Sequence, residues 1–290
     1  MDGNQAILDR PAAAVPARTG PCRAIARPWC GPWIELGVIR RYEWNRSELT
    51  IDNLPPALDG FRIVQFSDLH LDSAWHPGLD DVLARLHEDP PDLLLITGDF
   101  VDDKFDPRRS LPLVDRLVAR LPSRHGAYAV GGNHDGDAVV LPRVARAGVN
   151  VLSVGMRTIN VNGAALQLIG LAGLTRGDVD TQDLLYVPPR APGTARVVLS
   201  HYPDAILPFQ RHNGDPDLFF AGHTHGGQVC LPGRFPILRH DTLPRRYCKG
   251  VHRVGDTWLV VSRGMGFSTY AIRVFCPAEV VEVVLRAGTR

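Results

Sequence analysis

Five short apolar runs in this chain share one feature: each stops at residues able to hold a metal ion or move a proton. The run at 61–67 is followed by Asp68 and His70, and that at 92–97 by Asp99. The run at 127–130 leads to Asn133 and His134, 196–199 to His201, and 218–221 to His223 and His225. Short, continuously apolar runs mark strands covered on both faces, as parallel sheets are. In parallel α/β sheets the C-terminal strand ends lie along one edge, where ligands bind. One pattern thus constrains both the fold and the place of the chemistry.

The rest of the chain supplies what such a sheet needs. Helical spacing appears at 77–87, with Leu79, Val82, Leu83 and Leu86 on one face and Pro77 at the start, and again at 111–121 and 139–147. Several short strands are expected across 149–171. A hairpin joins 249–254 to 258–262 through Gly255-Asp256, and a last strand falls at 279–285. The first half alternates strand and helix, the second is strand-rich, and no repeat or linker divides them. This predicts one α/β domain over 60–290, a disordered tail over 1–25, and a lead-in over 26–59. A 44% hydrophobic, 22% charged composition suits a globular chain with a sizeable core. Lys and Arg total 32 against 31 Asp and Glu, which argues against a general nucleic-acid binder. Five cysteines without a C-x-x-C pair argue against a disulfide scaffold or zinc ribbon.

No apolar run is long enough to span a membrane, and the N-terminus lacks the apolar region of a signal peptide. Trp29, Trp33 and Trp44 nevertheless stand among Arg27, Arg40, Arg41 and Arg46. Rings beside arginines suit a membrane interface. The plainer alternative is that they pack on the domain as a strand and its approach. On the interfacial reading, a chain beginning near Glu48 keeps its chemistry and loses only peripheral contact with the inner face of a membrane. The expected location is cytoplasmic.

The strand ends bring together carboxylate, amide and imidazole donors, a mixture suited to Mn, Fe, Zn or Co. Seven candidates are too many for one tetrahedral ion and suit two ions a few ångströms apart with a carboxylate between them. The i, i+2 pairs Asp68/His70 and His223/His225 can each turn two side chains into one small volume.

In order, these motifs are D-x-H (Asp68, His70), G-D-x-x-D (Gly98, Asp99, Asp102), G-N-H-D (Gly132 to Asp135), His201, and G-H-T-H (Gly222 to His225). The set resembles the calcineurin-like metallophosphoesterase superfamily. The stretches Ser67–His70, Gly222–Gln228 and Ser262–Gly266 are similar to its YkuE/YaeI-type branch. The resemblance implies a metallo-dependent phosphatase-like fold, a four-layer αββα sandwich of two mixed β-sheets. It implies one ion held by Asp68, His70 and His225, a second by Asn133, His201 and His223, and Asp99 between them. His134 would face substrate as general acid. Two divalent ions per chain follow, manganese first, with Fe, Zn, Co or Mg as alternatives.

The implied chemistry is hydrolysis of a phosphodiester or pyrophosphate. Two cations offset the repulsion between an anionic ester and hydroxide, acidify a bridging water that attacks phosphorus, and stabilise the developing charge. Asp102 and Asp135 either brace a metal-binding side chain from behind or cap the next helix, and Asp72 shares that ambiguity. Arg263 stands on a glycine-rich loop that could face substrate or simply turn. His76, His87, His125, His212, His240 and His252 read as structural, and the irregular spacing of Cys230, His240, Cys248 and His252 speaks against a zinc site.

The substrate is less constrained. The segment Gly98–Asp103 lacks the arginine that protein phosphatases of this superfamily carry after the second aspartate, and G-N-H-D stands where they have G-N-H-E. The branch resemblance implies a phosphodiesterase acting on a small molecule or a lipid, such as UDP-2,3-diacylglucosamine in lipid A synthesis. The alternative of another class is a non-catalytic metal-binding module that uses this edge as a partner surface.

Overall fold

The computed structural model describes residues 34–171, 187–238 and 241–288. In chain order the strands are β1 (Ile34–Leu36), β2 (Tyr42–Ile51), β3 (Arg62–Phe66), β4 (Leu93–Thr97), β5 (Ala127–Val130), β6 (Asn150–Val151), β7 (Val154–Val161) and β8 (Ala164–Leu171). After them come β9 (Thr194–Ser200), β10 (Leu218–Ala221), β11 (Cys230–Leu231), β12 (Phe235–Pro236), β13 (Gly250–Val254), β14 (Thr257–Val261), β15 (Ile272–Val274) and β16 (Ala278–Ala287). The α-helices are α1 (Gly78–Glu88), α2 (Leu111–Val118), α3 (Leu141–Arg146) and α4 (Ile206–Asn213).

Two six-stranded sheets form the body. One runs β2-β16-β3-β4-β5-β6 and the other β13-β14-β10-β9-β8-β7. Both are mixed: β3, β4, β5 and β6 are mutually parallel while β16 is antiparallel to β3, and β8, β9, β10 and β14 are parallel while β7 and β13 run against their neighbours.

Strand alternation explains the layers. Along β4, Leu93 and Leu95 point into a core shared with Val197, Leu199, Leu218 and Phe220 of the other sheet. Leu94 and Ile96 point the other way, onto Leu79, Val82, Leu83 and Leu86 of α1 and Val114 and Leu117 of α2. In the second sheet Val198 and Phe219 face Ile206, Leu207 and Phe209 of α4. Each central strand is covered on both sides, which is why its sequence is an unbroken apolar run. The order is helix, sheet, sheet, helix: the expected αββα sandwich.

The lead-in over 26–59 carries an edge strand. β2 pairs in parallel with β16 along its whole length, from Tyr42 opposite Ala278 to Ile51 opposite Ala287. Trp44 lies on this strand, its Nε1 donating to Glu282 Oε2 at 2.6 Å and the Arg85 guanidinium stacked 4.3 Å over its ring. Trp44 therefore packs on the domain, and a chain beginning near Glu48 would lose half of an edge strand. Trp29, Trp33 and the tail over 1–25 lie outside the described residues. No helix among the described residues is long and apolar enough to cross a membrane.

Candidate metal centre

The loops that leave β3, β4, β5, β9 and β10 meet at one edge of the sandwich. Their backbones are sewn together before any side chain is counted. The Asp68 amide donates to the Gly98 carbonyl at 3.0 Å, and the amides of Leu69 and His70 to the Asp99 carbonyl at 2.8 and 3.0 Å. The Asp135 carboxylate collects amides from Gly132 and Asp99, both at 2.8 Å, and from Phe100 at 2.6 Å. Burial and the neighbouring Asp99 raise the Asp135 pKa to about 6. Asp135 thus ties the Asp99 loop to the Gly132 loop, and its side chain makes no capping hydrogen bond to the helical turn that follows it.

Five residues of this edge sit at left-handed φ: Asp68 at 49°, His70 at 41°, Asp99 at 56°, His223 at 67° and His225 at 50°. Side chains other than glycine resist that region. Strain of this kind persists only where surroundings over-determine it, and it concentrates at functional sites. Gly98, at φ 90°, meets the steric limit differently: a Cβ there would lie 2.7 Å from both Gly132 N and His201 Nδ1.

The side chains converge in two sets that share Asp99. Its Oδ2 lies 3.3 Å from His70 Nε2 and 3.3 Å from His201 Nε2. On the first side, His225 Nε2 is 3.0 Å from His70 Nε2 and 3.5 Å from Asp68 Oδ1. On the second, Asn133 Oδ1 is 3.1 Å and His223 Nδ1 3.3 Å from His201 Nε2. The rings are held from behind. His70 Nδ1 faces Asp102 Oδ1 at 3.0 Å and His201 Nδ1 faces the Thr97 carbonyl at 2.8 Å. Those partners accept only, so the distal nitrogens carry the protons and the proximal lone pairs point inward.

Lone pairs facing lone pairs call for a positive charge between them. With protons alone, the two histidines supply it. Burial opposes charging His70, but the carboxylates of Asp102 and Asp99 outweigh it and lift its pKa to about 10. Burial likewise opposes charging His201, and Asp99 lifts it to about 9. Burial would raise Asp99, yet His201 and His70 hold it well below the usual carboxylate range. Burial raises Asp68, and its Oδ2 is buried with no hydrogen-bond partner among the described residues. An unpartnered buried carboxylate oxygen beside inward imidazole nitrogens is a donor set that fits divalent cations.

His134 stands at the rim, half-buried. Its amide donates to Asp99 Oδ1 at 2.9 Å, its Nδ1 is hydrogen-bonded to the Asp102 carbonyl, and its ring meets His70 edge-on at 4.7 Å between centroids. Three groups among the described residues bring ligand atoms within 4.8 Å of one another: Asp68, His70 and His225; Asp68, Asp99 and His201; and His70, Asp99 and His134. None of these groups includes Cys230, Cys248 or His252, and His240 lies outside the described residues.

Two residues that the sequence left open stand away from the cluster. Arg263 does not face this edge: only 3% exposed, it donates from Nη2 to Glu43 at 2.8 Å and to Glu279 at 2.7 Å. Two buried carboxylates draw it inward, and its loop serves as a clamp, with the Met265 and Gly266 amides on the carbonyls of Ser67 and Asp68 at 2.9 and 2.7 Å. Asp72 accepts from the neighbouring Ser73 hydroxyl at 3.1 Å and belongs to none of the ligand groups found among the described residues. Two residues were missed. Tyr202 sets its ring 5.0 Å from His201 and 4.5 Å from His223, and its adjacency to His201 was the available signal. Arg273 donates to His225 Nδ1 at 3.3 Å and to its carbonyl at 3.4 Å. No motif marks Arg273, since strand pairing far along the chain delivers it.

Residues 61–227 match the calcineurin-like phosphoesterase family. The match covers more than half of the chain, which therefore belongs to that family and is a metal-dependent phosphoesterase. It is 31% identical over 240 residues to the uncharacterized metallophosphoesterase YkuE of Bacillus subtilis, covering 81% of this chain and 82% of that one. It is 29% identical over 270 residues to the phosphodiesterase YaeI of Escherichia coli, covering 89% and 90%. Among solved structures, the sulfate thiohydrolase SoxB of Thermus thermophilus aligns with TM-score 0.45 and 18% identity over 80% of this chain and 57% of its own.

Proposed function

We propose that this protein hydrolyses a phosphodiester or pyrophosphate bond at a centre of two divalent ions. The observation that carries this is the position of Asp99 Oδ2, 3.3 Å from the inward nitrogen of each histidine set. On this reading Asp68, His70 and His225 hold one ion, Asn133, His201 and His223 the other, and Asp99 both. Bound there, the ions supply Lewis-acid neutralisation of the ester and an acidified water nucleophile.

The chain's own residues do the rest. Asp102 and the Thr97 carbonyl fix ring orientation, so the inward nitrogens need no reorganisation. Asp135 keeps the β4 and β5 loops in register. With Nδ1 engaged by the Asp102 carbonyl, Nε2 is the His134 ring atom left to serve the departing oxygen as general acid. The similarity to a protein named a phosphodiesterase supports the diester over the monoester. We assign the substrate to small or lipid-linked esters of the UDP-2,3-diacylglucosamine type, and manganese as the working metal.

Bis-p-nitrophenyl phosphate with added Mn²⁺ tests the reaction. Two ions per chain by metal analysis, turnover that EDTA abolishes, and slower p-nitrophenyl phosphate cleavage are expected. Stoichiometric metal without turnover on any diester would instead favour a binding module.

A further inference from the structure

The two-stranded ribbon of β1 and β15 is turned inside out. Its inward side chains are charged: Glu35 is 8% exposed and Arg273 1%. Arg273 is needed there, donating to the carbonyls of Arg263 and Gly266 at 2.7 and 2.8 Å. Strand alternation then sends its neighbours outward. Those neighbours are Ile272 and Val274, paired across the ribbon with Leu36 and Ile34. Ile34 and Leu36 are 56% and 61% exposed.

The apolar surface continues onto the adjoining hairpin. β15 bridges to Val229, which leads into β11. There Leu231 and Phe235 face each other across β11 and β12, 50% and 53% exposed, and Ile237 and Leu238 follow at 44% and 53%. Scattered apolar side chains on a surface need no explanation, but a contiguous face with a polar margin marks an interaction site.

The margin is basic. Arg245 stands 5.4 Å over the Phe235 ring, and Arg246 beside it is exposed. Beyond β1, the exposed Arg40 and Arg41 line a cleft of about 330 Å³ with Tyr42, Arg85 and a single acid, Asp81. An apolar centre edged by arginines is complementary to an anionic bilayer, whose acyl boundary takes the first and whose phosphates take the second.

We propose that this face seats the protein on an anionic membrane surface. The proposal goes beyond the reading of the metal centre and stands whatever ester is cleaved there. The hairpin rests on the loop that bears His225, since Pro236 packs so close to Gly227 that a Cβ on the glycine would lie 2.6 Å from it. A seated protein therefore holds its chemistry beside the lipid.

The test uses the full chain with vesicles of phosphatidylglycerol and phosphatidylcholine against phosphatidylcholine alone. Co-sedimentation is expected on the anionic vesicles and should weaken with salt. The pair Phe235→Ser with Leu238→Ser should lower partitioning about tenfold or more. Arg40→Glu with Arg245→Glu should weaken it in the anionic case. Turnover of a soluble diester should be unchanged in both, which separates this proposal from the reading of the centre. No binding by the intact chain overturns it, as does binding that survives both pairs. Hydrogen exchange without vesicles addresses the other occupant, residues 1–33, which join β1 directly. Slow exchange at 231–238 that vesicles do not change would assign the face to that segment and overturn the membrane.

Discussion

On the proposed two-ion reading both sets of donors depend on Asp99, whose Oδ2 lies 3.3 Å from a histidine of each set. Asp99→Ala should lower the metal content below two ions per chain and reduce diester turnover by several orders of magnitude. Two retained ions with near-normal turnover would remove Asp99 from the bridging position. His134 is the sharper test, since its ring lies close enough to His70 and Asp99 to be either acid or ligand. As an acid, His134→Ala should leave metal content intact while kcat falls about 10²–10⁴-fold, with less loss on good leaving groups. Metal loss in that variant would make it a ligand. The raised pKa values of His70 and His201 set a pH dependence. Both exceed the ordinary 6.5, so in the metal-free chain their protonation stabilises the fold fully below pH 6.5, and that contribution fades as pH rises through about 9 and about 10. Imidazole binds metal only in its neutral form and carboxylates only ionised, so on the two-ion reading each ion displaces a histidine proton at pH 7. Apparent Mn²⁺ affinity should therefore climb by up to about tenfold per pH unit for each proton displaced. A flat affinity between pH 6.5 and 8.5 would contradict the protonation assigned here.

At the scale of the elements, the loops matter more than the strands they follow. β4 and β5 deliver Asp99 and Asn133 to the same edge, but the carboxylate finds its place because Gly132 leaves room. A Cβ on Gly132 would lie 2.2 Å from Asp99 Oδ1. Gly132→Ala must displace either the carboxylate or the loop, at a cost of about 1–3 kcal/mol. The expected outcome is a folded protein with a modestly lower Tm and a much larger loss of metal affinity. Calorimetry beside metal titration checks it, and a variant that binds Mn²⁺ as tightly as the parent would show that the loop yields freely.

The whole molecule is held at one point by charge rather than by apolar packing. Arg263 joins Glu43 on β2 to Glu279 on β16, under the loop that clamps Asp68. Burial would raise Glu43, but Arg234 and Arg263 hold it below the usual carboxylate range. Replacing both acids and the arginine together could be neutral, whereas removing one partner strands buried charge. Arg263→Met should cost about 3–5 kcal/mol, read as a lower midpoint in urea. The loss should be greatest above the carboxylate range and shrink as acid protonates Glu43. An unchanged midpoint at pH 7 would mean that the cluster relaxes into solvent.

Periodicity and order along the chain made the central strands, the helices beside them and the strand-end donors legible. Both faces of β4 are buried, so its run of leucines could be read from the order of residues alone, and a strand must end where Gly98 and Asp99 turn away. Position along the chain likewise indicated that Asp68, Asp99, His201 and His223 share one edge, since parallel strands end together. What tertiary structure alone decided were partners on different elements, 16 to 220 residues apart along the chain. Nothing near Arg263 announces that Glu43 and Glu279 will bury it, and nothing near Arg273 announces His225. Within 26–59 a strand packed on the domain was one of two open readings, and its partner β16 lies near the other end of the chain. Local pattern records which face of a strand is covered. The choice of covering partner is made by packing, where buried charge must find its counter-charge at whatever distance along the chain it lies.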